Sequence, residues 1–187
     1  MDESQSLMAE CGQEESKASQ RGWRWLREIG LSMGFSLFII VFLYQPVKVE
    51  GTSMLPGVAD QERIFINKFL YRFEAIERGD VVVFRYPGDP SKNYIKRIVG
   101  VPGDQIEILR GEVLVNGQRL AEPYVPKEFR DERSMGEIVV PAGSYFVLGD
   151  HRNLSSDSRD FGVVERAAIC GKAVFAYWPT GMVGKLR

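Results

Sequence analysis

The chain has 187 residues, enough for one modest domain plus an anchor and too few for two large domains. Its 24 basic and 25 acidic residues leave a net charge of −1, so composition gives no reason to expect a nucleic-acid partner. A single histidine, His151, and two cysteines, Cys11 and Cys170, provide no set of ligands at zinc spacing. Neither a metal nor a cofactor is expected.

The first twenty residues are polar, rich in Ser, Gln and Glu, and read as a disordered tail. From Ile29 to Tyr44 the sequence IGLSMGFSLFIIVFLY carries no charge, and extension to Val47 gives about 19 residues, near the ~20 that cross a bilayer. The run is apolar on every face, unlike an amphipathic core helix. No small-x-small site follows it, unlike a cleavable leader. Arg21, Arg24 and Arg27 precede the run, whereas Lys48 after it is offset by Glu50. The basic side is expected to stay in the cytoplasm, with Trp23, Trp25 and Tyr44 at the interfaces. The predicted organisation is a cytoplasmic tail over 1–28, a single-pass transmembrane helix over 29–47 in the plasma membrane, and an extracytoplasmic domain over 48–187. Cys11 and Cys170 then lie on opposite sides of the bilayer and cannot pair within one chain.

Beyond the anchor the periodicity is short and strand-like. Strands are predicted at 63–72, 81–86, 94–101, 105–109 and 112–115, and again at 138–141, 145–148 and 173–178. Asn116-Gly117 is a two-residue hairpin signal, and Pro-Gly-Asp runs at 87–89 and 102–104 mark turns. Residues 121–136 are polar and mixed, and read as a surface insertion. No helical period of useful length appears after the anchor. The expected fold class is all-β, with a smaller hairpin lobe over 106–140 on a main sheet.

Four patches carry candidate chemistry. Gly51-Thr52-Ser53-Met54-Leu55-Pro56-Gly57 contains a serine among turn residues, and turn formation alone explains such a pattern. In Tyr94-Ile95-Lys96-Arg97-Ile98-Val99, alternation puts Tyr94, Lys96 and Ile98 on one face and Ile95, Arg97 and Val99 on the other. A solvated edge lysine is the common reading there. The sharper one is a desolvated lysine that is neutral near pH 8 and acts as a base, which takes roughly 3 kcal/mol of environment. The third patch, Gly149 to Gly162, is a polar loop in which Ser155, Asp157 and Arg159 alternate, so that an Asp–Arg pair could fix the loop and aim a hydroxyl. Arg78-Gly79-Asp80 reads as a structural turn.

In this order, behind an anchor, the patches resemble the type I signal peptidases, from about Gln45 to the C-terminus. The resembling segments are Ser53-Met54-Leu55-Pro56, Arg78 to Phe84, Tyr94 to Gly100 with Pro102-Gly103-Asp104, and Gly149-Asp150-His151-Arg152 through Ser155, Asp157, Ser158, Arg159 and Gly162. The resemblance implies a compact, coiled antiparallel β domain, of a type shared with repressor autoproteases, that acts as a membrane-bound serine endopeptidase. Ser53 is then the nucleophile and Lys96 the general base. Ser155 orients the lysine amine, Asp157 and Arg159 form a supporting pair, and Asp150 shapes the loop. The Ser53 N–H faces the oxyanion, and Val49, Met54, Val83 and Ile95 line small apolar pockets for substrate alanines. The implied partners are signal peptides of secreted preproteins, the lipid bilayer and the neighbouring Sec/Tat export machinery. Two positions depart from the pattern. Gly51 stands where some members have an oxyanion-binding serine, a loss of roughly 3–4 kcal/mol for one donor, and Gly57 stands where a threonine is usual. A repressor autoprotease needs an N-terminal DNA-binding domain, and the hydrophobic run occupies that place. A histidine-based protease would use His151, here read as a loop hydrogen-bonder. A tethered β module without activity does not account for Ser53, Lys96, Ser155 and Asp157 together.

Overall fold

The computed structural model describes residues 23–38, 44–179, 181 and 184–185. The chain divides into two units, Met1–Phe42 and Leu43–Arg187. In the first unit a helix, α1, covers residues 23–38, and Trp25, Leu26, Leu31, Phe35 and Leu37 along it are all exposed. Among the described residues no helix is long and apolar enough to cross a membrane. The polar tail, with Cys11 and Arg21, and residues 39–43 of the expected anchor lie outside the described residues.

The expected helical span to Val47 is corrected at its C-terminal end. Tyr44–Lys48 forms strand β1, paired antiparallel with β2 (Arg63–Asn67) from Tyr44↔Asn67 to Lys48↔Arg63. Pro46 explains the change: it lacks an N–H and breaks a helix, but is tolerated on an edge strand. β1 is such an edge.

The second unit is built mostly of β strands. β3 (Val81–Tyr86) and β4 (Asp89–Gly100) form a hairpin through Pro87-Gly88. A second sheet takes β5 (Gln105–Leu109), β6 (Glu112–Val115), β7 (Gln118–Arg119) and β8 (Met135–Val139), in the order β7-β6-β5-β8. The chain returns through β9 (Ser144–Leu148), a one-turn helix α2 (Ser158–Phe161), β10 (Val164–Glu165), β11 (Ile169–Trp178) and β12 (Gly184–Lys185). The main sheet runs β1-β2-β11-β3-β4-β9-β10, with β12 beside β11. Every described pairing is antiparallel.

β-Branched and aromatic runs such as VVVFRY supply strands buried on both faces. Val81 and Val83 pack in one core cluster with Val49, Met54 and Ile64, whereas Val82 and Phe84 pack in another with Ile98 and Val147. A third cluster, Val99, Ile106, Val113 and Phe146 among others, joins the second sheet to the first. β4 therefore has no solvated face at its C-terminal half, and both Lys96 and Arg97 are buried, at 4% and 2% exposure.

Candidate active site

Ser53 lies in the turn after β1 and Lys96 in the middle of β4, 43 residues apart, yet Lys96 Nζ and Ser53 Oγ are 2.7 Å apart. Lys96 is opposite Val82 in the β3–β4 register, and its amine sits 5.3 Å from the centre of the Tyr94 ring. Burial pushes the Lys96 ammonium down to about 8, against the opposing pull of Asp157 and Asp150. Desolvation thus outweighs two carboxylates.

The nucleophile turn is fixed from the loop after β9. The His151 N–H donates to Ser53 O at 3.0 Å, and His151 Nδ1 lies 3.1 Å from Thr52 O. The imidazole also packs on Phe129, centroids 4.1 Å apart. His151 thus bonds to the backbone beside the serine, as a loop hydrogen-bonder does. This close approach requires Gly149: a Cβ there would stand 2.1 Å from Ser155 Oγ and 2.6 Å from Ser53 O.

The loop is held by buried charge. Asp150 is fully buried and accepts two bonds from Arg97, Nε at 2.9 Å and Nη2 at 2.6 Å, while Arg97 Nη1 donates to Gly79 O. The turn Arg78-Gly79-Asp80 is thereby tied to the site. Asp157 accepts from Arg159 Nε and Nη2 at 2.8 Å each and from the Gly149 N–H at 3.1 Å. It also caps α2 through the Arg159 N–H, with Asp160 returning a bond to the Asp157 N–H. Ser155 Oγ differs from expectation. It is buried without a hydrogen-bond partner, and the anticipated bond to the Lys96 amine is not formed.

Sequence reasoning missed the second layer around this loop. Arg152 pairs with Glu122, Arg159 with Asp131 and Arg133 with Asp160, so the apparent surface insertion clamps the loop. The partners are about thirty residues apart, and no local spacing announces them.

A cleft of about 640 Å³ opens beside Ser53 and Lys96, between residues 47–53 and 92–96. Val49, Val83 and Ile95 line it, joined by Ile64, Leu154 and Ser156. Met54 is not part of this lining; at 1% exposure it packs in the core with Val49 and Val83. Gly51 has φ +104°, a conformation that disfavours any side chain, and its N–H donates to Asp60 Oδ1 at 2.7 Å. That bond holds the Asp60 carboxyl below the usual range.

The profile described as "Signal peptidase, peptidase S26" matches residues 22–178. The chain belongs to this family. A "Signal peptidase I" of Bacillus amyloliquefaciens is 36% identical, covering 87% of this chain and 89% of its own. Another, of Leptolyngbya laminosa, is 36% identical over 97% of this chain and 92% of its own. A crystal structure of a signal peptidase I from Enterococcus faecalis aligns with a TM-score of 0.47 at 31% identity, over 53% of this chain and 97% of that one. The family match takes in Ser53, Lys96 and the whole of the loop after β9.

Proposed function

We propose that the Ser53–Lys96 pair cuts signal peptides from exported preproteins, the chain acting as a signal peptidase I, a serine endopeptidase. The observation that carries this reading is the 2.7 Å approach of a buried, pKa-lowered lysine amine to a serine hydroxyl. Serine is a weak nucleophile until a base removes its proton. The neutral Lys96 amine takes that proton as Ser53 Oγ attacks the scissile carbonyl. The resulting ammonium returns it to the leaving amine, and water, activated by Lys96 in turn, hydrolyses the acyl-enzyme.

The oxyanion is met by the Ser53 N–H. Gly51 offers no hydroxyl, and its N–H is engaged by Asp60. Asp157 with Arg159 and Asp150 with Arg97 hold the loop that presses on the nucleophile turn. Ser155 Oγ takes up the Lys96 amine when that amine turns away from Ser53. An extended substrate lies between residues 47–53 and β4, pairing by backbone and directing alternate side chains to Val49, Val83 and Ile95, with Met54 forming the floor beneath. The anchor reading is supported by the all-round exposure of apolar residues on α1 and by Arg24 and Arg27 at its N-terminal part. The described part of the helix is 16 residues, about 24 Å. The N-terminus is placed in the cytoplasm and the β unit outside the plasma membrane, near the Sec/Tat export machinery.

The test is cleavage of a purified preprotein. Ser53→Ala and Lys96→Ala are each expected to abolish it, and His151→Ala to retain most of it. A His151→Ala variant as inactive as Ser53→Ala would replace this mechanism by a histidine-based one.

A further inference from the structure

We propose that Asp60 is a positioning residue of the active site, its carboxylate locking Gly51 so that the turn behind it presents Ser53 to Lys96 and to the substrate. The inference rests on the cleavage reading above and adds a residue that lies outside the segments resembling the family.

The turn that carries the nucleophile leaves the sheet at Val49 and returns at Glu62. Its base is closed by backbone: the Val49 N–H donates to Glu62 O and the Gln61 N–H to Val49 O, at 2.8 Å each. Its far end is fastened to the core by buried Met54 and Val58. The return arm is tightened by Glu62, which is buried and accepts the Ala59 N–H at 2.6 Å. Asp60 therefore stands on a fixed support. The exit arm, from Glu50 to Ser53, has no such side chain of its own in the core.

Gly51 is the loose joint of that arm. It is exposed and lines the cleft two residues before Ser53. Nothing lies within 4 Å of the place its Cβ would take, so packing does not restrain it. Glycine has the widest backbone freedom of any residue, and such a joint beside a nucleophile would spread Ser53 over many positions. Val49 turns its N–H and C=O to the β2 side, and strand alternation brings the Gly51 N–H to that side again. There it meets Asp60 Oδ1 at 2.7 Å. The same oxygen accepts from Gln61 Nε2 at 3.1 Å, which steadies the carboxylate. The bond removes the freedom that the glycine introduces. On the other side of the nucleophile the His151 N–H holds Ser53 O, so Ser53 is restrained from both directions. Misplacing a reacting group by about 1 Å can cost on the order of a hundredfold in rate.

The experiment compares the full chain in detergent with its Asp60→Ala and Asp60→Asn variants, in steady-state cleavage of a purified preprotein. Asp60→Ala is expected to lower kcat about tenfold with KM unchanged, because Val49 still holds the cleft wall. Asp60→Asn keeps an oxygen acceptor and should restore kcat to within about twofold of the parent. The Asp60 carboxylate is at the surface, so all three chains should share one unfolding midpoint in denaturant. The bond itself is read by NMR. Glu50-Gly51 is the only Glu-Gly step in the chain, so carbonyl-labelled glutamate with nitrogen-labelled glycine isolates the Gly51 amide. Its proton is expected downfield and slow to exchange in the parent and in Asp60→Asn, and upfield and fast to exchange in Asp60→Ala. A kcat of Asp60→Ala equal to the parent's, or a Gly51 amide unmoved by that substitution, overturns the proposal. Asp60→Asn as slow as Asp60→Ala does the same, since charge and not the bond is then at work. So does a raised KM with kcat unchanged, which makes Asp60 a substrate contact. A lower unfolding midpoint in Asp60→Ala also overturns it, by making the slower cleavage a matter of stability. A parent chain that cuts no preprotein sinks the cleavage reading alone, and the Gly51 amide then decides whether Asp60 holds the turn.

Discussion

Lys96 carries a cost that the proposed role as a base requires. A lowering from 10.5 to about 8 corresponds to roughly 3 kcal/mol against the charged form in the native state. Below pH 8 both folded and unfolded chains hold the proton, and the penalty is fully present. Between about 8 and 10.5 the native amine is neutral while the unfolded one stays charged, so the unfolded chain binds more protons and stability rises with pH. Lys96→Met is therefore expected to be inactive yet more stable at pH 7, by about 1–3 kcal/mol in denaturant unfolding, with the gain shrinking towards pH 10. Equal or lower stability at pH 7 would contradict the burial penalty. The same shift sets the rate profile: activity should be low at mildly acidic pH and rise along a limb centred near 8. A limb centred near ~6.5 would point to His151 instead.

At the scale of elements, the second sheet and the polar stretch before β8 act on the site through charge. Glu122 and Arg152 are 8% and 3% exposed at their side chains, and Arg152 Nε also donates to Gly149 O. Removing one partner of a buried pair leaves the other charge desolvated, at about 3–5 kcal/mol. Glu122→Ala is expected to lower stability by about 3 kcal/mol and to speed amide exchange selectively over residues 149–160. Preprotein cleavage should slow through kcat, because the same loop donates to Ser53 O. Unchanged exchange in that loop would show that Asp131 and Arg133 hold it without Glu122. The residues at stake here are separated by 28 to 30 positions, and strand alternation says nothing about pairings of that range.

Across the whole molecule, the cleft and the entry point of the chain set what this signal peptidase can cut. Ser53 is nine residues past Tyr44, at most about 30 Å of extended chain, so the proposed topology puts cleavage close to the outer membrane surface. In the proposed binding mode a signal peptide leaves its own apolar segment near that surface and continues in extended form, with alternate side chains directed to Val49, Val83 and Ile95, which line the cleft. Small residues are expected to be required directly before the cut and two positions upstream, with the intervening residue unrestricted. Phe or Asp at either small site should nearly stop processing in a purified preprotein assay. A preprotein with Phe before the cut that is processed as fast as its Ala parent would refute the pocket assignment.

By itself the sequence determines what depends on neighbours along the chain. The strand runs at 81–86, 105–109 and 112–115, the Asn116-Gly117 hairpin and the local Asp157–Arg159 pair all follow from period, turn chemistry and short spacing. The motif set that marks the family is likewise linear, although Ser53 and Lys96 separately are no more than a turn serine and a strand lysine. Only the tertiary structure decides what depends on distance in space. It brings Ser53 Oγ within 2.7 Å of Lys96 Nζ and leaves Ser155 Oγ without a partner. It moves Met54 into the core and takes residues 44–47 out of the hydrophobic run into strand β1. Hydropathy counts apolar residues without knowing which of them meet a sheet edge. The pairing of Pro46 with Phe65, on an edge that needs no N–H from the proline, is a fact about β2 that residues 44–48 do not contain.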